Sequence, residues 1–389
     1  MVKNNDSGCD VAVKSRPKGV SRRSFLKVSG GAAVGLWLAT VVDLPKLVTG
    51  DVRAAAAAVA EIPVIWLQSG SCTGCSVSFL NTLNPRAQDV LVPEVIPGKH
   101  VSLRFHPTIM AAEGEKAMEA LHDTVEAGGF ILVAEGGFST KDNGVYCVVG
   151  EDESGAGITA LTHLKEAGAK AMAVISLGTC SAYGGIPAGK PNPTGVKKVT
   201  DIFESECIAT PVINIPGCPP HPDWFVGTVV QVLTQGLASV EVDEHKRPKA
   251  FFSEKIHDNC PRRAYFDRGK FALKPSDPYC LYELGCKGPI TSSDCPIRLW
   301  NSGTNWCIGC GHPCIGCVEP GFPDEVGAVF ERASGVKTAG MHDTVELIGL
   351  GLGAAAVAGV GAHLVGSAVA GRLKNGGGED GDGESPAEG

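Results

Sequence analysis

Short apolar runs alternate with helix-like stretches through the first half of the chain. Helical periodicity covers residues 115–126 and 159–166, and a further helix-like segment begins at Ser76. Short buried strands that alternate with helices are typical of a parallel sheet in an α/β domain. We therefore expect a doubly wound sheet that binds its ligands at the carboxyl ends of its strands. The candidate strands are residues 64–67, 101–105, 130–134, 171–177 and 212–215.

This alternation fades after Glu254, and cysteines become the dominant feature of the sequence. Such a density argues against a plain hydrolase or dehydrogenase and predicts an irregular domain that folds around metal. Of the 15 cysteines, those between residues 260 and 317 are Cys260, Cys280, Cys286, Cys295, Cys307, Cys310, Cys314 and Cys317.

Four other cysteines follow predicted strands. Cys72 and Cys75 come after the first strand, Cys180 after the fourth and Cys218 after the fifth. Strand ends that are distant in sequence meet at one edge of a doubly wound sheet, so four thiolates there can hold a tetrahedral metal ion or a cubane cluster. A pair of disulfides is the structural alternative, because an exported protein meets an oxidising compartment.

The amino terminus has the pattern of an export signal. Arg22 and Arg23 lie in the run S-R-R-S-F-L-K, a weakly apolar stretch covers residues 28–42, and alanines fill residues 54–58. The arginine pair is typical of a twin-arginine signal, and the alanines offer cleavage sites. A basic disordered tail before a helix is the alternative. The twin-arginine export machinery carries folded proteins, which suits a chain that must first acquire a cofactor.

A second apolar segment, residues 347–370, lies near the carboxyl terminus. It spans about 36 Å as a helix, which is enough to cross a bilayer. His363 is its one strongly polar residue, and Arg372 and Lys374 follow it, which predicts a cytoplasmic carboxyl end. A buried helix of a soluble protein is the alternative. Together the two ends predict a membrane-anchored protein whose bulk lies on the periplasmic face.

The net charge of −8 argues against nucleic acid as a partner. The acidic, glycine-rich residues 371–389 are typical of a disordered tail.

Three motifs together resemble the small subunit of nickel–iron hydrogenases. They are C-T-G-C-S from Cys72, G-T-C-S-A-Y-G-G at residues 178–185 and P-G-C-P-P-H-P at residues 216–222. The resemblance implies a flavodoxin-like first domain in which Cys72, Cys75, Cys180 and Cys218 hold a proximal 4Fe–4S cluster. Oxygen-tolerant members carry two further cysteines there. Gly74 and Gly185 occupy those places here, so an ordinary cubane is expected.

A second set of candidate ligands comprises His257, Cys260, Cys280 and Cys286. Taken alone, one histidine and three cysteines suit zinc as well as iron. The motifs I-H-D-N-C-P-R-R and C-L-Y-E-L-G-C match the family, and the resemblance implies that these residues hold a distal 4Fe–4S cluster.

The third set comprises Cys295, Cys314 and Cys317, which match the family's medial cluster. That cluster is often a 3Fe–4S centre, because a proline replaces the fourth ligand. Here Cys307 occupies the proline's place, so we favour a medial 4Fe–4S centre over a 3Fe–4S centre, with Cys310 as the competing fourth ligand.

The remaining cysteines have no partners at ligand spacing. Cys9 lies in the predicted signal, and we expect Cys147 and Cys207 to be core thiols.

Three clusters in one chain form a path for single electrons. The resemblance implies that nickel is bound by a separate large subunit and not by this chain, and that electrons from H2 pass to a membrane cytochrome b or quinone-reactive subunit. Pro219 and His221 belong to the loops that we expect the large subunit to cover. The alternatives are a non-hydrogenase iron–sulfur electron carrier and a cysteine-rich zinc or disulfide protein.

The predicted organisation has six parts. They are a signal (1–58), a flavodoxin-like domain (59–245), an iron–sulfur domain (246–330), a linker (331–346), a transmembrane anchor (347–370) and a tail (371–389).

Overall fold

The computed structural model describes residues 60–83, 85–91, 99–152, 154–333, 336 and 341–370. The predicted export signal, part of the predicted linker, and the tail with Arg372 and Lys374 lie outside the described residues.

The described chain forms nine strands, most of them short. They are β1 (Ala60–Gln68), β2 (Lys99–Phe105), β3 (Ile131–Glu135), β4 (Phe138–Ser139), β5 (Val148–Glu151), β6 (Gly157–Thr159), β7 (Ala173–Leu177), β8 (Val196–Lys197) and β9 (Val212–Ile215).

The α-helices follow the same chain order, and four single turns of 3-10 helix at 141–144, 186–188, 237–239 and 281–284 supplement them. The helices are α1 (Gly74–Leu80), α2 (Ala87–Leu91), α3 (Gly114–Ala127), α4 (Ala160–Lys170), α5 (Thr179–Tyr183), α6 (Val199–Ser205), α7 (Pro222–Gln235), α8 (Lys249–Phe252), α9 (Arg263–Asp267), α10 (Cys295–Arg298) and α11 (Met341–Val369).

Five strands form one parallel sheet in the order β2-β1-β3-β7-β9. This is the strand order of flavodoxin-like doubly wound sheets, in which the chain grows outward in both directions from β1. Each of the five strands predicted from the apolar runs is present. The expectation of an α/β domain with a parallel sheet is confirmed.

Alternate residues of each strand pack into two separate cores. Val64 and Trp66 point to the face that α7 covers, whereas Ile65 and Leu67 point to the face covered by α3, α4 and α6. Side chains alternate between the two faces of a strand, so burial on both faces requires a continuous apolar run. This explains the continuous apolar runs in the interior of β1 and β3.

The segment from residue 253 to residue 333 contains little regular structure. Ile256, Leu281, Trp306 and Ile308 form a small core. Three cysteines, Cys260, Cys286 and Cys314, complete this core and are themselves buried. Sulfur therefore occupies places that apolar side chains fill in an ordinary domain.

Polar contacts fasten this segment to the sheet domain. Trp224 in α7 donates its indole N–H to Asp294 at 2.8 Å. The buried Arg247 pairs with Asp243 at 2.7 Å and with Glu319 at 3.2 Å. These bonds fix the cysteine-rich segment against the carboxyl edge of the sheet.

Helix α11 stands apart from the rest of the described chain. Residues Gly351–Val369 form a 19-residue stretch with a mean hydropathy of 1.6, none of it buried. Among the described residues it is the one helix long and apolar enough to cross a membrane, by length and composition. His363 lies on it and is exposed.

Candidate metal centres

The loop between β1 and α1 presents Cys72 and Cys75 at the carboxyl edge of the sheet. Thr73 takes a left-handed conformation with a φ of 62°, and its N–H donates to Ser71 Oγ at 2.9 Å. Helix α1 begins at the next residue, so Cys75 lies in its first turn, half-buried, while Cys72 is exposed.

Cys180 and Cys218 reach the same place from β7 and β9. Cys180 lies in α5, directly after Gly178 and Thr179, and Cys218 follows Gly217. Thr179 locks the two loops together, because its N–H donates to Gly217 O at 3.0 Å and its Oγ accepts from Gly217 N–H at 2.9 Å. The structure thus brings the four strand-end cysteines together, as the topology requires.

Glycines leave room for the sulfurs of this first set. A Cβ at Gly178, where φ is 89°, would lie 2.5 Å from Cys75 Sγ. A Cβ at Gly74 would lie 3.0 Å from Cys72 Sγ, and one at Gly185 would lie 3.1 Å from Cys180 Sγ. At these three positions, no side chain stands against the sulfurs, because glycine has only hydrogen atoms there. The space between the thiols therefore fits a bulky inorganic group.

The four thiols also affect each other electrostatically. Burial and then neighbouring charges raise the pKa of Cys75, and burial followed by Cys218 raises the pKa of Cys180 to about 12. Burial, then Cys72, raises the pKa of Cys218. Thiols in such a site stay protonated unless a metal replaces the proton, since metal binding requires the thiolate.

A buried carboxylate below this set was not anticipated from the sequence. Glu135, the last residue of β3, has no exposed surface. Its Oε2 accepts from Trp66 Nε1 at 2.8 Å and Ser76 Oγ at 2.5 Å, and its Oε1 accepts from Ser71 Oγ at 3.1 Å. Glu135 thereby orients the residues on both sides of Cys75. Its position at a strand's carboxyl end was the signal that could have revealed it.

His106 extends this network from the end of β2. Its Nδ1 accepts from Thr108 N–H at 3.1 Å, so the neutral ring carries its proton on Nε2, which lies 3.1 Å from Ser76 Oγ. Burial lowers the pKa of His106 to about 4. The histidine is therefore neutral near pH 7 and serves as a hydrogen-bond donor.

The second set of sulfurs lies inside the cysteine-rich segment. Burial, as the first cause, raises the pKa of Cys260 and of Cys286, and it raises that of Cys280 to about 12. After burial, both Cys286 and Cys260 contribute to the raised pKa of Cys280, which agrees with three neighbouring thiols.

His257 lies three residues before Cys260, and its backbone carbonyl accepts from Cys260 N–H at 3.4 Å. Its Nε2 is buried and has no hydrogen-bond partner among the described residues, and its ring meets Phe266 edge-on at 4.4 Å. Burial, then the nearby Arg263, lowers the pKa of His257. A neutral imidazole with an unsatisfied nitrogen fits a metal ligand, because a buried nitrogen without a partner is otherwise costly.

The third set joins α10 to the loop that follows it. Burial raises the pKa of Cys295 to about 11, and Ser293 Oγ donates to its sulfur at 2.9 Å. Burial, then Cys295, raises the pKa of Cys317 to about 12, and Cys307 adds to this effect. Cys307 therefore lies near both Cys295 and Cys317. Cys310 is exposed and contributes to the raised pKa of Cys307, after burial as the larger cause.

Cys314 links the third set to the second. Burial, followed by Cys286 and Cys317, raises the pKa of its thiol. Its backbone N–H donates to Cys286 Sγ at 3.4 Å. Cys317 links the third set to the first, because the Cys218 backbone hydrogen-bonds its sulfur and Thr179 Oγ donates to its carbonyl oxygen. The third set thus lies between the other two, although it comes last in the chain.

The expectation that Cys147 and Cys207 are core thiols is wrong for Cys207. Cys147 is half-buried and packs against the core that α4 covers. Cys207 is exposed, with a left-handed φ of 56°, in the turn that ends α6. Local turn geometry at that helix end outweighs the weak apolar preference of a single thiol.

Every cysteine of the described residues is a free thiol. Within the same residues, no three His, Cys, Asp or Glu side chains converge closely enough to surround one metal ion.

A cavity of about 580 Å³ opens beside the first set, between α1 and the loop after α10. Pro219 and His221 line it together with Val77 and Trp300. His221 is already covered by this chain, since its Nε2 lies 2.8 Å from Leu299 O, whereas Pro219 is half-buried.

Two family models match the chain over these elements. Residues 72–232 match "NADH ubiquinone oxidoreductase, 20 Kd subunit", and residues 252–330 match the C-terminal model of the "NiFe/NiFeSe hydrogenase small subunit". The periplasmic [NiFeSe] hydrogenase small subunit of Desulfomicrobium baculatum is 42% identical over 316 residues, which are 78% of this chain and 96% of the relative. The chain belongs to the nickel–iron hydrogenase small-subunit family.

Another hydrogenase small subunit shares more of this chain's length. The quinone-reactive Ni/Fe-hydrogenase small chain of Wolinella succinogenes is 36% identical over 361 residues, which are 90% of this chain and 96% of the relative.

Solved hydrogenase structures share the fold. A [NiFeSe] hydrogenase structure from Desulfomicrobium baculatum matches with a TM-score of 0.67 and 44% identity, covering 71% of this chain and all of that one. An actinobacterial-type NiFe-hydrogenase from Ralstonia eutropha H16 matches with a TM-score of 0.68 and 30% identity, covering 78% and 92%. The family resemblance read from the motifs is confirmed, and with it the function of a hydrogenase subunit that works with a large subunit.

Proposed function

We propose that this hydrogenase small subunit relays electrons through three iron–sulfur clusters held by the three sets of residues. The proximal cluster is assigned to Cys72, Cys75, Cys180 and Cys218. The distal cluster is assigned to His257, Cys260, Cys280 and Cys286, and the medial cluster to Cys295, Cys307, Cys314 and Cys317. The observation that carries this proposal is the spatial order of the sets, with Cys317 against Cys218 and Cys314 against Cys286.

Iron–sulfur clusters supply one-electron redox chemistry when they are bound. The chain's own residues supply the rest. The buried thiols of Cys260, Cys280, Cys286 and Cys314 keep water from that part of the path. Backbone N–H groups aimed at sulfur, such as Cys314 N–H at Cys286 Sγ, stabilise negative charge on the ligands. Glu135 holds Ser71 and Ser76 around Cys75, which keeps that ligand loop in position.

For the medial site we propose a four-iron centre. Cys295, Cys314 and Cys317 leave one corner of a cubane without a ligand, and Cys307 lies near Cys295 and Cys317. Cys310 stays the competing fourth ligand. A strong paramagnetic signal of a three-iron cluster in fresh, undamaged protein would exclude Cys307 as a ligand.

We further propose the cellular setting. Residues 1–58 direct export through the twin-arginine machinery, 59–245 and 246–330 form the two cluster-holding domains, 331–346 link them to an anchor at 347–370, and 371–389 form a cytoplasmic tail. The bulk of the chain then lies on the periplasmic face. The exposed His363 on α11 is a candidate contact to a haem or quinone in a membrane subunit.

Nickel is assigned to the large subunit, which we place over the proximal loops and the adjacent cavity. A membrane cytochrome b or quinone-reactive subunit is the proposed acceptor, as the name of the Wolinella succinogenes relative suggests.

The test is metal and acid-labile sulfide analysis of the membrane complex, purified through a tag on this chain. We expect nickel to copurify and the iron content to match three clusters. The variant Cys286→Ser should lose the distal share of the iron, whereas Cys207→Ser, an exposed thiol outside the sets, should keep all of it. A complex with iron but no nickel would favour a non-hydrogenase electron carrier, and zinc in place of iron would overturn the proposal.

A further inference from the structure

We propose that Cys307 and Cys310 form a thiol–disulfide pair, and that closing this disulfide removes Cys307 from the medial cluster. The inference rests on the proposed assignment of Cys307 as a medial ligand. It concerns Cys310, which the three ligand sets do not use.

The two cysteines share one turn whose other residues anchor it. Cys310 N–H donates to Trp306 O and His312 N–H donates to Cys307 O, both at 2.9 Å. Trp306 and Ile308 are buried in the small core, whereas Cys307 and Cys310 are exposed. The turn therefore presents two thiols to solvent while its buried side chains hold it in place.

Gly309 permits this tight turn. A Cβ at Gly309 would lie 2.0 Å from Asn305 Oδ1 and 2.9 Å from Trp306 Cδ1. Only glycine lets the backbone between the cysteines close over the indole.

The spacing suits a disulfide. Residues three apart on a helical turn have Cβ atoms about 5–6 Å apart, and a disulfide needs about 4 Å, so a small local adjustment closes the bond. Desolvation, then Cys310, raises the pKa of Cys307, which agrees with neighbouring sulfurs. Cys-x-x-Cys is also the spacing of thiol–disulfide oxidoreductase sites.

The oxidant is a small-molecule disulfide such as oxidised glutathione. The Cys310 thiolate attacks it, forms a mixed disulfide and releases one small thiol. The Cys307 sulfur then displaces the second thiol and completes the Cys307–Cys310 bond. The pair loses two electrons, which the two released thiols gain. Their protons come from Cys310 and Cys307. If Cys307 were an iron ligand, water would supply the second proton and the iron that Cys307 held would be released as Fe²⁺.

The experiment uses the assembled heterodimer as wild type, Cys310→Ser, Cys307→Ser and, as control, Cys207→Ser. Each protein is incubated anaerobically with oxidised glutathione, its free thiols are alkylated, and the tryptic peptide 299–332 is fragmented by mass spectrometry. Paramagnetic resonance of the dye-oxidised protein is recorded before and after incubation.

We expect a Cys307–Cys310 disulfide in wild type and in Cys207→Ser, with a three-iron signal that appears only after incubation. Dithiothreitol with Fe²⁺ should remove that signal. Cys310→Ser should gain no three-iron signal, and Cys307→Ser should show the signal from the start.

Full alkylation of both Cys307 and Cys310 in the wild type after incubation would overturn the proposed disulfide. A three-iron signal that grows equally in wild type and Cys310→Ser, or a disulfide without any change in the signal, would overturn its link to the cluster. A three-iron signal in untreated wild type would instead refute the proposed ligand role of Cys307, and peptide mapping would still test the pair separately.

Discussion

At the scale of single residues, glycines determine what the carboxyl edge of the sheet can hold. Gly178 has a positive φ, and the Cβ that alanine would add there would lie 2.5 Å from Cys75 Sγ. A methyl group there strains the backbone and also enters the space between the thiols. The second effect is specific to the site.

We expect Gly178→Ala to lose the proximal cluster. The backbone strain alone costs about 1–3 kcal/mol, because Gly178 combines a φ of 89° with a ψ of 154°. Gly129→Ala is the control for a positive φ without crowding, because Gly129 has a φ of 69° and nothing within 4 Å of the added Cβ. Iron and sulfide analysis of the heterodimer should show a loss of about one third, one cluster in three, for Gly178→Ala alone. Equal iron in both variants would contradict this reading of Gly178.

His106 should make stability depend on pH. Its pKa is about 4 in the folded protein and 6.5 when unperturbed. Between pH 4 and pH 6.5, His106 is therefore protonated in the unfolded chain and neutral in the folded chain. Stability therefore falls as the pH drops from 6.5 toward 4, by about 3 kcal/mol in total.

Thermal unfolding of the heterodimer across this pH range checks the prediction. His106→Gln, whose amide can still donate to Ser76, should show a shallower decline than wild type. His122→Gln, at an exposed site, should follow the wild type. An unchanged slope in His106→Gln would show that other groups cause the decline.

At the scale of elements, α11 has no contact among the described residues that explains its apolar surface. None of its Gly351–Val369 stretch is buried among the described residues, which is consistent with a helix that crosses a membrane. His363 is costly in a bilayer unless it meets a partner there.

We expect His363→Ala to keep H2 oxidation with an artificial dye and to lower electron delivery to quinone. Val365→Ala is the control, because Val365 is exposed on roughly the opposite face of the helix. Activity assays with dye and with quinone on the same membranes provide the comparison. Loss of both activities, or of neither, would remove His363 from the electron path.

At the scale of the whole molecule, stability depends on ion pairs that join the sheet to the cysteine-rich segment. Arg247 is 4% exposed and bonds Asp243, Glu319 and the Val318 carbonyl. Val318 and Glu319 directly follow Cys317, so this arginine supports the loop that carries a proposed medial ligand. A buried carboxylate that loses its partner is strongly destabilising.

We expect Arg247→Met to destabilise the folded state by about 3–5 kcal/mol. Arg86→Met, which breaks the exposed and solvent-screened pair with Asp89, should leave the unfolding midpoint close to that of the wild type. Denaturant titration of the heterodimer, followed by the visible absorbance of the clusters, measures both. Similar midpoints for the two variants would show that Arg247 does not secure the segment.

Strand and helix periodicity predicted the five parallel strands and the helices between them, because periodicity is a local property of the chain, whereas the grouping of the cysteines into ligand sets stays a prediction. Tertiary structure decided which sets adjoin, since the contacts of Cys317 with Cys218 and of Cys314 with Cys286 join segments far apart in sequence. It also decided the roles of Glu135 and His106, two strand-end residues whose partners lie on other elements. The exposure of Cys207 follows from a helix-ending turn that composition does not encode. Local pattern thus predicts elements, whereas the neighbourhood of the cysteines depends on how the sheet brings distant loops together.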